Sequence, residues 1–317
     1  MQHVSDATLD ALVGPDEAMA ALRDAFAQFA EGAAAMQPRV RTEAAGVKLS
    51  TLGAVLPGSN AVGAKVYTTV AGRFSFVIIL FAADSGAPLA TFDAAAITRL
   101  RTAACSAIAA QHLARRGARS LAVLGLGVQG RAHARQFARA FDLREIRVQG
   151  PHLTDDDARA LQADTGVAVR RCAAAAEAVD GADLVVTASR AATPLFDGAG
   201  LARGAFVAAV GSSLPGTREL DDTALARAAI VAVEWREQAL REAGDLVLAA
   251  PAALPPGKVV ELGELVSGRA PGRTDEDQLT IYKSVGVGLE DVAVAALAWR
   301  KLNALGAGKA PAQGAAR

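Results

Sequence analysis

Residues 120–134, SLAVLGLGVQGRAHA, decide the fold. A short apolar run, SLAVL, is followed directly by Gly125-Leu-Gly127-Val-Gln-Gly130 and then by a pattern of helical period. A G-x-G-x-x-G sequence between a strand and a helix is typical of the loop that binds the pyrophosphate of a dinucleotide. Gly125 permits the tight turn, Gly127 lets the backbone approach the phosphates, and Gly130 lets the helix pack closely on the strand. We therefore predict a dinucleotide cofactor at the N-terminus of this helix.

Downstream of the glycine loop, strand-like and helix-like segments alternate. The strand-like segments are EIRVQG (145–150), VAVRRC (167–172), DLVVTAS (183–189), FVAAVGSS (206–213) and AAIVAVE (228–234). The helix-like segments between the first of them are DDDARALQADTG (155–166) and AAAAEAVDGA (173–182). This alternation predicts an α/β domain over residues 116–289, a Rossmann-type, doubly wound parallel sheet that binds the dinucleotide.

Upstream, residues 1–115 predict an α+β domain. Residues 7–31 have helical periodicity, and three β-like runs follow at 46–57, 61–70 and 74–82. A long helix is expected over residues 93–116, with Asp93 as its N-cap.

The C-terminal part of the chain contains a second long helical pattern. The segment GVGLEDVAVAALAWRKLNA (286–304) is expected to pack back on the first domain, which would then comprise residues 1–115 and 290–317. The tail GAGKAPAQGAAR (306–317) has no apolar periodicity and is expected to be frayed.

The composition excludes several classes of protein. With 317 residues, 52% of them hydrophobic, the chain can bury the cores of two domains. A net charge of zero does not favour a nucleic-acid or anionic-membrane partner. Cys105, Cys172 and the four histidines lack the spacing of a metal site, so we expect no metal. We expect neither a signal peptide nor a membrane-spanning segment, and therefore a cytoplasmic protein.

Three basic residues of the first domain stand in unusual contexts. Arg41 lies in QPRVRTE, Lys65 in the strand-like GAKVYTT, and Arg101 among alanines in RTAAC. Burying such groups without a partner is unfavourable. Either each pairs with an acid of the protein, or together they bind an anionic substrate.

The ribose end of the cofactor site lacks an acid. Sites that prefer NAD carry Asp or Glu at the end of the second strand, where this chain reads VQGPH with no acid before Asp155. His152 and Arg171 are candidate partners for a 2′-phosphate. We therefore expect NADP(H), with NAD(H) as the alternative.

Four segments carry a family resemblance: RTAACSAIAAQHLAR (101–115), VLGLGVQGRAHA (123–134), ELGELVSGR (261–269) and YKSVGVGLED (282–291). Together the sequence resembles the ornithine cyclodeaminase/mu-crystallin family over roughly residues 5–300. The resemblance implies a homodimer whose N-terminal domain binds substrate and pairs the subunits.

The resemblance also implies roles for individual residues. Arg41, Lys65 and Arg101 would hold the substrate's carboxylate and imine or amine region, with Arg39 as the competitor of Arg41. On the cofactor side, the matching positions are Val128, Gln129, Ser189, the strand end from Val207 to Val210, and Ser284.

One departure from the family pattern concerns the loop VGSSLPGTREL (210–220). Ornithine cyclodeaminases carry an aspartate where Ser213 stands and a lysine near Thr217, whereas the ketimine reductases of the family have serine. Cyclodeamination needs a base for several proton transfers, but reduction of a ready-made cyclic imine does not.

The resemblance therefore implies reduction of Δ1-pyrroline-2-carboxylate to L-proline, of its six-membered analogue to L-pipecolate, or of both. Lys65 would supply a proton, and Ser213 would orient water or the substrate nitrogen. Three alternatives stay open: an ornithine cyclodeaminase, an amino-acid dehydrogenase, and a non-catalytic protein that binds NADP and a small carboxylated ligand.

Overall fold

The computed structural model describes residues 1–307, so most of the tail expected to be frayed (306–317) lies outside the described residues. Within residues 1–307 the strands form two sheets. The first sheet contains β1 (Gln2–Val4), β2 (Ala35–Ala44), β3 (Val47–Leu56), β4 (Ala61–Val70), β5 (Arg73–Phe81) and β6 (Pro88–Phe92). The second contains β7 (Ser120–Leu124), β8 (Glu145–Gln149), β9 (Ala168–Arg171), β10 (Leu184–Thr187), β11 (Phe206–Ala209), β12 (Ala228–Val233), β13 (Val259–Glu261) and β14 (Leu279–Lys283).

The helices follow the same division. Those before the second sheet are α1 (Asp6–Leu12), α2 (Pro15–Ala30) and α3 (Ala95–Leu113). Those that connect its strands are α4 (Val128–Ala140), α5 (Asp155–Thr165), α6 (Ala175–Val179), α7 (Asp222–Arg227), α8 (Arg236–Glu242), α9 (Gly244–Val247) and α10 (Leu262–Val266). The helix α11 (Gly288–Ala307) ends the described chain. No helix within residues 1–307 is long and apolar enough to cross a membrane.

The second sheet confirms the predicted Rossmann-type, doubly wound architecture. Its order is β13-β12-β14-β11-β10-β7-β8-β9, and every pairing is parallel. The strands β10, β11 and β14 are buried along their whole length, as expected for a sheet covered on both faces. The chain reverses its direction of winding between β7 and β10. In such sheets the ligand crevice lies at the carboxyl ends of the strands at this point.

The first sheet has the order β1-β6-β5-β4-β3-β2, antiparallel except for the pair of β1 and β6. The C-terminal helix α11 packs against β3, β4 and β5 and against α2. The helix α11 therefore packs on the first sheet, while the division into residues 1–115 with 290–317 and residues 116–289 stays a prediction. The buried apolar side chains of α3 and α11 share one core cluster with one face of the second sheet.

Two features differ from expectation. Asp93 does not cap α3: the cap residue is Ala94, and the amide of Ala96 donates instead to Asp6 Oδ1, 2.7 Å away. Asp93 accepts from the amide of Asp6 and contacts His3. The strand β2 was not singled out, because Pro38 and alternating polar residues hide it. Pro is tolerated at such an edge, and the register shifts between Gln37 and Val40.

Candidate active site

The glycine loop joins β7 to α4. Gly125 has a φ of +94°, and a Cβ there would lie 2.6 Å from the carbonyl oxygen of Ala188. A Cβ on Gly130 would collide with the carbonyl oxygen of Gly125. At Gly127, by contrast, no described atom lies within 4 Å of the Cβ position, which leaves the space that a phosphate needs. The loop therefore fits a dinucleotide at the N-terminus of α4.

A cavity of about 630 Å³ opens beside this loop. Four of the predicted cofactor positions line it, namely Gly125, Gly127, His152 and Ser189. Ser189 is held in place by the buried carboxylate of Glu219, which accepts from the Ser189 amide at 2.8 Å and from its hydroxyl at 2.7 Å. Glu219 also accepts from Thr187 and the amide of Gly211, so it ties the end of β10 to the end of β11.

The other predicted cofactor positions do not line the cavity. Val128, Gln129 and Gly130 form the first turn of α4, and Val210 follows the end of β11. Val207 differs from expectation, because its side chain lies in the core of the second sheet. Ser284 also differs: it is buried, and its hydroxyl donates to Glu234 at 2.5 Å.

The wall of this cavity contains one acid, Asp157. Its carboxylate accepts from the amide and hydroxyl of Thr154 and from Arg131, whose nearest nitrogen is 2.6 Å away. The Thr154 amide is the first cause of the lowered pKa of Asp157. Arg190 also lines the cavity and is exposed. Arg171 differs from expectation, because it pairs with Asp155 and is not among the lining residues.

A second cavity, of about 220 Å³, lies on the inner face of the first sheet. Lys65 and Arg101 line it as predicted, together with Ser213 from the loop after β11. The remaining lining residues are Arg39, Leu52, Tyr67, Phe74, Phe76, Thr98, Val285 and Asp291. Gln129, in the first turn of α4, contacts a residue of this cavity wall, because its side-chain amide donates to the carbonyl oxygen of Thr98 at 3.3 Å.

The basic residues of this second cavity also have acidic partners. Lys65 Nζ lies 2.5 Å from Thr98 Oγ1 and 3.3 Å from Asp291 Oδ1. Arg101 lies 2.8 Å from Glu290 and 3.8 Å from Asp291. The two alternatives posed by the sequence are therefore both realised: the cations pair with acids of the protein, and they line a cavity.

The two arginines of β2 share one carboxylate. Arg39 and Arg41 both contact Glu242 of α8, Arg41 at 2.6 Å. Only Arg39 lines the cavity, where its guanidinium also donates to the carbonyl oxygens of Val285 and Gly286 at 3.0 and 2.9 Å. The register shift in β2 places Arg39 opposite β3 as an extra residue, and such bulges re-aim side chains. The structure therefore brings Arg39 to the cavity in place of the expected Arg41.

The cations and carboxylates of this cluster are equal in number. Arg39, Arg41, Lys65 and Arg101 are four cations. Glu242, Glu290 and Asp291 contact them, and the buried carboxylate of Glu234, which acts on Arg101, is the fourth acid. Burial raises the pKa of Glu290 to about 7 against the opposing charge of Arg101. Burial lowers the pKa of Lys65, which Asp291 counteracts. An anionic ligand in this cavity would therefore meet guanidinium and ammonium groups that already have acidic partners.

The loop that carries Ser213 rests on a buried network. Lys283 Nζ donates to the carbonyl oxygen of Ser212 at 2.6 Å and lies 2.8 Å from the carboxylate of Asp245. The hydroxyl of Ser212 donates to the carbonyl oxygen of Thr217. No side chain of residues 210–217 titrates near neutrality. At the cavity, this loop therefore presents the hydroxyl of Ser213 and no carboxylate.

Several of these residues were not recognised in the sequence. They are the acids Glu219, Glu242, Glu290 and Asp291, the hydroxyl of Thr98, and the aromatic residues Tyr67, Phe74 and Phe76. A signal existed for two of them, because Glu290-Asp291 open a helix in a segment that already carried the family resemblance. The aromatic residues alternate on one face of β4 and β5, but alternation of this kind is usual in any half-buried sheet.

Comparison with known proteins agrees with this geometry. The model of the ornithine cyclodeaminase/mu-crystallin family matches residues 2–304. Ketimine reductase mu-crystallin of Mus musculus is 35% identical over 291 residues, which are 88% of this chain and 90% of the mouse protein.

Two solved structures are similar over nearly their whole length. The probable ornithine cyclodeaminase from Bordetella pertussis Tohama I is 54% identical with a TM-score of 0.94, covering 96% of this chain and 98% of that one. The Δ1-pyrroline-2-carboxylate reductase of Thermococcus litoralis, solved with NADH and L-proline, is 26% identical with a TM-score of 0.91, over the same shares of the two chains.

Proposed function

The chain belongs to the ornithine cyclodeaminase/mu-crystallin family, and from this premise we propose that it is an NAD(P)H-dependent reductase of cyclic ketimines. The substrates would be Δ1-pyrroline-2-carboxylate, reduced to L-proline, and its six-membered analogue, reduced to L-pipecolate. One observation carries the proposal: the cavity combines Arg39, Lys65 and Arg101 with Ser213 where a cyclodeaminase would have an acid. The names of the mouse and Thermococcus relatives support it.

The cavity beside the glycine loop would hold the cofactor. The amides at the N-terminus of α4 would bind the pyrophosphate, with Ser189 nearby on the cavity wall. Bound there, the reduced nicotinamide supplies the hydride. We propose a preference for NADP(H), because Asp157 is engaged by Thr154 and Arg131 while His152 and Arg190 remain at the wall.

The second cavity would hold the imino acid. Arg101 and Arg39 present planar, charged donors that match a carboxylate. Lys65 would give a proton to the imine nitrogen from Nζ. Its lowered pKa makes that transfer easier than from an exposed lysine. Ser213 would orient water or the nitrogen without acting as a base.

Ornithine cyclodeamination is the second candidate, favoured by the 54% identity to the Bordetella protein. A panel of reactions distinguishes the two: NADPH consumption with each cyclic imine, against release of ammonia and proline from ornithine in the presence of NAD⁺, because cyclodeamination returns its hydride and leaves no NADH. Net NAD⁺ reduction with alanine or proline would instead indicate an amino-acid dehydrogenase. The proposal expects rapid NADPH consumption with an imine and at most slow reaction with ornithine. Ornithine turnover faster than imine reduction would refute it, and binding of NADPH without any turnover would favour a non-catalytic role.

We also propose a homodimer formed through the outer face of the first sheet. The register places six partly exposed apolar side chains on the face opposite Lys65: Val40, Val47, Leu49, Val55, Val70 and Phe81. An apolar face of this kind is typical of a protein–protein interface. Leu49→Arg should therefore yield a monomer in sedimentation analysis, and a wild-type protein that sediments as a monomer would contradict the proposal.

A further inference from the structure

We propose that Asp291 is a positioning residue that holds Lys65 in its ammonium form with one N–H directed to the substrate nitrogen. The inference rests on the proposed ketimine reductase function. It assigns a role to an acid that lies against the proton donor rather than on the loop after β11.

Asp291 joins three elements at one point. It lies in the first turn of α11 and is 0% exposed. Its Oδ1 is 3.3 Å from Nζ of Lys65 on β4 and 3.8 Å from Nε of Arg101 on α3. A side chain so placed orders the ammonium and the guanidinium relative to each other.

The hydrogens of the ammonium are accounted for by this geometry. Nζ carries three donors, of which Thr98 Oγ1 at 2.5 Å and Asp291 Oδ1 at 3.3 Å accept two. The Phe76 ring lies on a third side, with its centroid 5.0 Å from Nζ. Among residues 1–307 no further hydrogen-bond acceptor contacts Nζ, so one N–H is left for a ligand in the cavity.

The charge of Lys65 depends on what surrounds it. Burial lowers its pKa first, and the like charges of Arg101 on α3 and Arg39 on β2 lower it further. Asp291 is the main opposing influence. The other titratable groups of the cluster are Glu242 behind Arg39, Tyr67 on the cavity wall, and three groups that act on Arg101, namely Glu290, Glu234 and Cys105. Without Asp291, Lys65 would lose its proton at a lower pH.

The proton transfer balances as follows. The imine carbon gains the hydride of the reduced nicotinamide, and the electron pair of the C=N π bond passes to the nitrogen. That pair takes a proton from Lys65 as its N–H bond breaks, which leaves a neutral amine on Lys65 and the oxidised nicotinamide. Lys65 regains its proton from water, and Asp291 neither gives nor takes a proton in the transfer.

The test compares Asp291→Asn with Glu290→Gln, its neighbour, which contacts Arg101 and not Lys65. The first readout needs no cofactor: trace acetic anhydride labels Lys65 over a pH series, and mass spectrometry measures the labelled peptide. The second is the pH profile of kcat. In Asp291→Asn both the onset of labelling and the alkaline loss of kcat should move to lower pH.

The size of the effect follows from the loss of a general acid. At the pH of the wild-type plateau, kcat of Asp291→Asn should fall about tenfold or more. Glu290→Gln should leave the labelling curve closer to that of the wild type and act mainly on KM for the imine, through Arg101. Both variants should bind NADPH as the wild type does.

A folded Asp291→Asn that keeps the wild-type labelling curve and kcat profile would overturn the inference. If that variant does not fold, Asp291→Glu replaces it: the carboxylate is retained, so the labelling curve should match the wild type, and a shift to lower pH would overturn the inference. A wild-type protein that reduces no cyclic imine would instead refute the proposed function, and the labelling experiment would still report on Lys65.

Discussion

Replacing Arg101 with alanine tests the assignment of the substrate carboxylate. Arg101 is 8% exposed, with its guanidinium 2.8 Å from Glu290 and 3.8 Å from Asp291. Truncating one member of a buried charged contact costs about 2–5 kcal/mol in binding. If that loss falls on the transition state, kcat/KM for the imine should drop about 30-fold to 5,000-fold.

The same substitution should also destabilise the fold, because it leaves Glu290 without its cation. Breaking a buried pair costs about 3–5 kcal/mol of stability, which thermal unfolding will detect. Arg101→Lys separates the two effects. It restores a charge and part of the stability, but a lysine lacks the planar fork that matches a carboxylate, so kcat/KM should stay low.

The assay is steady-state reduction of Δ1-pyrroline-2-carboxylate at saturating NADPH, with NADPH affinity measured by fluorescence titration. Arg99→Ala is the matched control: Arg99 lies on the same helix but pairs with Asp10 at the surface, so both parameters should change little. A folded Arg101→Ala that keeps near-normal kcat/KM would show that the carboxylate is bound elsewhere. A large loss of NADPH affinity would place Arg101 at the cofactor.

Three further predictions concern other parts of the site. Ser213→Ala should lose at most about tenfold in kcat, the equivalent of one neutral hydrogen bond of about 0.5–1.5 kcal/mol. Ser213→Asp should raise KM for the anionic imine. A loss of several orders of magnitude in kcat of the alanine variant would show that the hydroxyl takes part in the chemistry. The kcat/KM measured with NADPH should be modestly higher than that measured with NADH, and Arg190→Ala should reduce this preference. A strong preference for NADH would contradict the interpretation of the VQGPH segment. The pKa of Glu290, raised from 4.5 to about 7, means that the native state binds more protons than the unfolded state between these values. Relative to Glu290→Gln, the wild type should therefore lose free energy of unfolding as pH rises from 4.5 to about 7 in denaturant titrations, and a parallel pH dependence of the two proteins would show that Glu290 is ionised across this range.

Much of the Rossmann-type half was predictable, since its signals are local. The glycine loop, the strand before it and the helix after it lie within one short segment, and the alternation that follows implies a parallel sheet. The strand β14 was not predicted. It lies between β11 and β12 in the sheet, although it comes after both in the chain. Sequence order does not reveal such an insertion.

The candidate site was only partly predictable, because its partners are distant in sequence. Lys65 and Asp291 are 226 residues apart, and Arg39 and Glu242 are 203 residues apart. The free-energy cost of burying a charge indicates that these cations need partners, but the periodicity of the sequence does not show which acid pairs with which cation. The choice between Arg39 and Arg41 depended on a bulge in β2, which the pattern of residues does not encode.

The proposed reaction has a direct test in its stoichiometry. Wild-type protein is incubated with Δ1-pyrroline-2-carboxylate and limiting NADPH, and L-proline is measured by chiral chromatography against the NADPH consumed. The proposed function predicts one L-proline formed for each NADPH oxidised, with no D-proline, and no ammonia released when ornithine and NAD⁺ replace the imine and NADPH. Proline and ammonia formed from ornithine, without NADPH-dependent reduction of the imine, would contradict it.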